Sequence, residues 1–407
     1  MASKDYHFLA IEGRAPGYYG VLALLGALVL IGLGAALYME HYGHIVTGMS
    51  NQVVWGTPHV FAIFLIVAAS GALNVASIAS VFGRELYKPL SRLSGLLAIA
   101  LLVGGLAILV LDLGRPDRLK EAMAYYNFKS IFAWNIILYI GFMAVVAVYL
   151  WMMMERRMNQ YSKPVGLFAF VWRLTLTTGT GSIFGFLVAR AAFNSAMLAP
   201  MFIIMSFSFG LAVFMLVLMA TYVGTGRPLG DVMVKRLRYL LGTFVAAVLY
   251  FVIVYHLTNL YMTKQHTIER FVLLDGGQYT AVFWLGQILI GSVLPLAILF
   301  SKLGESRRMI GVACVAIIFG GLSQMYVLVI GGQAFPLDMF PGYEVSSSFF
   351  DGVVAHYAPS LPEVLLGVGG FGIALAATAL AIKVLPFTPE SLADSVVDPH
   401  HAKAAGA

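Results

Sequence analysis

Ten apolar runs, each about 20 residues long, divide this chain, with short polar stretches between them. They cover 18–38, 58–81, 95–113, 130–153, 166–191, 199–223, 238–261, 279–301, 308–331 and 362–385. A helix of that length crosses a hydrocarbon core of about 30 Å. The strands of a membrane barrel would instead alternate apolar and polar residues over about 10 positions. The pattern therefore predicts an all-α membrane protein of about ten transmembrane helices. The fifth run is the weakest. It holds Arg173 and Thr175-Leu176-Thr177-Thr178-Gly179-Thr180-Gly181, a stretch that predicts a broken or cavity-facing helix.

Composition agrees. Of the 407 residues 60% are hydrophobic and only 11% charged, with a mean hydropathy of +0.88. That is too little charge to cover a soluble protein of this size. The first run is too long for a signal peptide and reads as a retained helix, and the segment after Pro386 reads as a frayed polar tail. The net charge of +6 comes from basic loops, not from a nucleic-acid surface. With the N-terminus inside, 17 of the 25 Lys and Arg fall on cytoplasmic segments and 7 on outer ones, and Arg173 lies within the membrane. The asymmetry places both termini in the cytoplasm of a bacterial-type inner membrane. Gly-Arg-Pro occurs twice, at 114–116 and 226–228, on opposite faces, and reads as coincidence.

A single cysteine, Cys314, rules out an internal disulfide, a self-held iron–sulfur cluster and c-type haem attachment. No Walker motif and no Arg-rich voltage sensor occurs.

Polar residues collect near the outer helix ends. His59 opens the second helix and Asp112 ends the third, followed by Arg115; Tyr126, Trp134 and Asn135 surround the start of the fourth, and Arg190 ends the fifth. Singly, each suits interfacial anchoring, and Asp112 with Arg115 suits a turn-fixing salt bridge. Together they supply what a quinone headgroup needs: hydrogen-bond donors, a proton-exchanging imidazole or carboxylate, and an apolar slot for the tail. His59 and Asp112 are the candidate proton carriers. His59 and His256, both near the outer face, keep a b-type haem open as a rival, although haem is the disfavoured reading because the other histidines lie in loops and tails. Arg173, Glu85, Asp231, Gln287 and Gln324 suit either helix–helix hydrogen bonding or parts of a proton path. The outer loop 332–361, with Asp338, Glu344, Asp351 and His356, and Glu363 just beyond it, suits either a docking surface or an ordinary loop.

Trp55-Gly56-Thr57-Pro58-His59 and Leu111-Asp112-Leu113-Gly114-Arg115-Pro116 resemble the NrfD-like, polysulfide-reductase-type membrane subunits, and Ala189–Pro200 resembles their ten-helix branch, the DsrP type above all. The resemblance implies two four-helix bundles with two flanking helices. It divides the chain into 1–57, a first bundle over 58–194 carrying a quinone site, a second over 195–361, and a last helix and tail over 362–407. It implies cofactor contacts from Trp55, Thr57, His59, Asp112, Arg115, Tyr126 and Trp134, with menaquinone or ubiquinone bound as substrate and no metal. It further implies a periplasmic, ferredoxin-like iron–sulfur partner, further cytochrome and membrane subunits, and activity only within such a complex, linked to dissimilatory sulfur metabolism. A secondary transporter and a b-type cytochrome anchor are the rival classes.

Overall fold

A computed structural model describes residues 6–11, 15–337 and 352–397. Lys4, Arg14, Asp338, Glu344, Asp351, His400, His401 and Lys403 lie outside the described residues. Ten membrane-length helices follow in order: α1 (Pro16–Tyr42), α2 (Thr57–Ser80), α3 (Glu85–Leu111), α4 (Ile131–Met154), α5 (Ser162–Gly185), α6 (Leu198–Thr225), α7 (Asp231–Tyr261), α8 (Gln278–Phe300), α9 (Arg307–Ala334) and α10 (Leu361–Val384). Among the described residues nine are long and apolar enough to cross a membrane; α5 is as long but more polar. All ten coincide with the predicted runs.

Helices α2 to α5 pack on one another, α6 to α9 form a second group, and α2 and α5 lean on α6. The last helix, α10, covers α3 and α2, and α1 covers α10. Helices α1, α4 and α7 form the rim and are the least buried of the apolar spans, as lipid-facing helices must be. Small residues set the closest crossings: a Cβ at Gly71 of α2 would fall on the Ser206 carbonyl oxygen of α6.

Three departures from the sequence reading have physical causes. First, α5 runs unbroken through its Thr-Gly stretch. Thr175, Thr177, Thr178 and Thr180 donate back to the carbonyls of Val171, Arg173, Leu174 and Leu176, so their hydroxyls are satisfied inside the helix. The interruption lies in α2, at Leu73. Second, the segment after Pro386 is docked: Thr388–Pro389 pairs antiparallel with Phe8–Leu9, and Leu392 bridges to Leu229. Both ends of the described chain therefore meet at one end of the bundle, the terminal face. Third, each Gly-Arg-Pro follows a helix end with its glycine left-handed, Gly114 at φ 70° and Gly226 at φ 67°. The repeated tripeptide is a helix stop used twice.

Candidate functional site

The site lies at the end of the bundle opposite the terminal face, where α3 stops and α2 starts. Asp112 caps α3, its N–H donating to the Ile108 carbonyl at 2.9 Å. Gly114 turns the chain away immediately afterwards, and its missing side chain also makes room for the His44 ring, which a Cβ would meet at 3.1 Å. The Asp112 side chain is fully buried. Two imidazoles stand against it. His59 Nδ1 lies 3.1 Å from Asp112 Oδ2, and His44 Nε2 lies 3.5 Å from Oδ1 and 3.1 Å from the Asp112 backbone carbonyl. The His59 approach is close but off the line of a hydrogen bond, so both carboxylate oxygens and His59 Nδ1 lack an aligned partner. A buried carboxylate in that state is costly unless a donor reaches it. The two imidazoles beside it, His44 and His59, are 31% and 22% exposed.

The loop before α2 is fixed from three sides. Gln333 at the end of α9 accepts from Val54 N–H and Trp55 N–H at 3.0 Å each and donates to the Trp55 carbonyl. Arg190 donates to the carbonyls of Gln333 and Gln52 at 2.6 and 2.9 Å. Burial draws its pKa below the ordinary arginine value. Glu363, buried in the first turn of α10, accepts from Gly48 N–H at 2.8 Å and from Tyr357 Oη at 2.5 Å, and Tyr357 Oη in turn accepts from Thr57 N–H at 2.7 Å. Burial, reinforced by Glu363, pushes the Tyr357 phenol up, so it remains a donor. The held loop sets Trp55 on His59, ring centroids 6.3 Å apart and 27° from parallel, with Phe132 and Phe184 against its other sides.

The predicted residues thus divide. Trp55, His59 and Asp112 converge, whereas the Thr57 hydroxyl pairs with Tyr357 Oη at 2.9 Å. Arg115 is exposed and pairs with Asp117 at 3.1 Å, not with Asp112. Tyr126 stacks on Phe128, and Trp134 Nε1 donates to the Phe128 carbonyl at 2.9 Å. Asn135 clasps α4 to α5 through the Gly179 carbonyl at 3.0 Å, and Arg190 braces backbone. Glu363 is fully buried and cannot serve a docking surface. His44, Gln333, Tyr357 and Glu363 escaped the sequence reading of the site; the capping-box spacing of Ser360 and Glu363 was a usable signal for the last. His256 is paired with Glu269 of its own group, at 2.7 Å. Among the described residues no cluster of three or more His, Cys, Asp or Glu could hold a metal ion.

This arrangement defines a multi-pass integral membrane protein with an imidazole–carboxylate site at its helix ends. Residues 45–337 match the family described as polysulphide reductase, NrfD, and the chain belongs to that family. It is similar to the Hdr-like menaquinol oxidoreductase integral membrane subunit of Archaeoglobus fulgidus, 29% identical over 96% of this chain and 99% of the relative. It is also similar to the C subunit of the selenate reductase of Mesobacillus selenatarsenatis, 23% identical over 91% of this chain and 93% of the relative. The polysulfide reductase C polypeptide of Wolinella succinogenes is 21% identical over 70% of this chain and 96% of the relative.

Proposed function

We propose that this chain is the quinone-reactive membrane subunit of a respiratory complex. Menaquinone or ubiquinone exchanges protons with Asp112 and His59, and its electrons pass to or from a ferredoxin-like iron–sulfur subunit docked over the site. The observation that carries the reading is the buried Asp112 carboxylate, without an aligned hydrogen-bond partner on either oxygen and beside a half-open His59. A hydroquinone hydroxyl is a donor of the kind that carboxylate lacks. On oxidation the quinol loses two electrons to the partner and two protons, one to Asp112 and one to His59; reduction reverses each transfer. The name of the A. fulgidus relative, a menaquinol oxidoreductase subunit, supports the choice of ligand, and the reductase names of the others support a multisubunit setting.

In this reading 58–194 is the unit that carries the quinone site. Trp55 and Thr57 shape its wall; Arg115, Tyr126 and Trp134 stand at the rim toward the partner. The site face is periplasmic, and both termini are on the cytoplasmic side of a bacterial-type inner membrane. The link to dissimilatory sulfur metabolism belongs to the same proposal. The test is fluorescence quenching of the purified protein by quinol analogues. His59→Ala and Asp112→Ala are expected to weaken binding at least about tenfold, the effect of losing one charge-assisted hydrogen bond. Unchanged quenching in both would overturn the site.

A further inference from the structure

The second helix group holds an imidazole–carboxylate pair of its own. His256, near the end of α7, lies with its Nδ1 2.7 Å from Glu269 Oε2, and Asn259 Nδ2 donates to Glu269 Oε1 at 2.7 Å. Glu269 is buried and both its oxygens are occupied. The pair borders a cavity of about 50 Å³, which Phe283, Gln287, Gln324 and Val327 also line. Gln324 is buried, and its side-chain NH2 has no hydrogen-bond partner. Two lining helices depart from α geometry beside the cavity: Val282–Val293 in α8 and Val327–Gly331 in α9 adopt the wider i→i+5 bonding. Such widening is rare and concentrates at functional sites.

We propose that this cavity is a second, separate proton-exchange site, in which bound water joins the Gln324 amide to the free Nε2 edge of His256. The size decides the ligand. About 50 Å³ holds a few waters, each needing about 10–15 Å³. It is far below the roughly 300 Å³ at which sites for drug-sized molecules begin. The polar partners suit water as well: one orphaned donor, one imidazole and the Gln287 amide. The 2.7 Å contact requires one proton between His256 Nδ1 and Glu269 Oε2. A proton arriving from water at Nε2 lets the Nδ1 proton pass to Glu269, which takes the pair from net −1 to neutral; the reverse returns it. The other groups facing the pair are Tyr255 of α7, whose hydroxyl donates to the Ala192 carbonyl, and the uncharged Met201 of α6.

The proposal does not depend on quinone binding in the first group. Its test is infrared spectroscopy of the full-length protein in lipid nanodiscs during exchange from H2O to D2O. A wet pair exchanges in seconds, whereas a dry one waits on local opening over minutes to hours. Glu269→Gln is expected to remove the responding carboxylate band. Gln324→Leu, close in volume and apolar, is expected to slow its exchange at least about tenfold while quenching by quinol analogues stays at the wild-type level. Exchange in Gln324→Leu as fast as in the wild type would overturn the site. So would a quinone headgroup found in the cavity by electron cryomicroscopy, or loss of quenching together with exchange.

Discussion

Asp112 and Arg115 are three residues apart, yet only Asp112 belongs to the site, because the left-handed Gly114 between them sends Arg115 outward to Asp117. Removing the two groups should therefore have unequal effects. Asp112→Asn keeps the shape and removes a proton acceptor, so quinol turnover of the assembled complex should fall about 10²–10⁴-fold. Arg115→Gln breaks a surface pair of small energetic worth and should change turnover by no more than about twofold. His59 and Asp112 were legible in the sequence because an imidazole and a carboxylate at span ends are conspicuous. His44 was not: it reaches Asp112 across 68 residues of sequence, and no local pattern encodes that contact. Tyr357 adds a pH dependence. Its folded pKa lies above the ordinary value of 10.0, chiefly through burial. Its contribution to stability is therefore complete below about pH 10 and is lost as pH rises through the folded value. Phenolate absorbance on alkaline titration should show a late component that Tyr357→Phe reduces by the amplitude of one tyrosine, with the 48–57 loop becoming protease-sensitive as it appears in the wild type.

Helices were the most legible feature at the next scale, and their irregularities the least. Ten apolar runs became ten helices because every backbone group within a bilayer must bond inside its own segment. The Thr-Gly stretch of α5 looked like a break because Gly and Thr are weak helix formers in water. In this fold the threonines satisfy themselves by back-bonding, and Gly181 lets α5 close on α6, where a Cβ would meet the Leu198 carbonyl oxygen at 2.8 Å. The real interruptions lie at Leu73 in α2, over Val282–Val293 in α8, which gives way at Pro295, and over Val327–Gly331 in α9, which gives way at Gly332. The crossing of α2 over α6 depends on Gly71 in the same way. Gly71→Val should lower stability by about 1–3 kcal/mol, read as a lower unfolding midpoint in detergent, through overpacking against the Ser206 carbonyl. Gly17→Val on the open rim, where a Cβ meets nothing within 4 Å, should cost far less.

Across the whole molecule, the loops at the site face join both helix groups into one platform. Arg190, between α5 and α6, and Gln333, at the end of α9, both bind the loop before α2, and Glu363 of α10 binds it from the other side. A partner seated there would touch both groups. The terminal face is tied as firmly, by Arg227 to the Ala10 carbonyl and Arg307 to the Leu229 carbonyl. Sidedness is testable because Cys314 is buried. In spheroplasts a membrane-impermeant maleimide should label Tyr125→Cys, on the site face, from outside. It should label Lys302→Cys, on the terminal face, only after lysis. The opposite result would invert the orientation.

The order of apolar and polar residues determined by itself that this protein is a bundle of membrane helices with many of its polar groups near their ends, because hydrocarbon penalises every exposed polar group and leaves one favourable backbone. Tertiary structure alone decided which polar groups meet. Contacts between His44 and Asp112, Glu363 and Gly48, or Gln333 and Trp55 arise from helix order and loop path, which hydropathy does not encode.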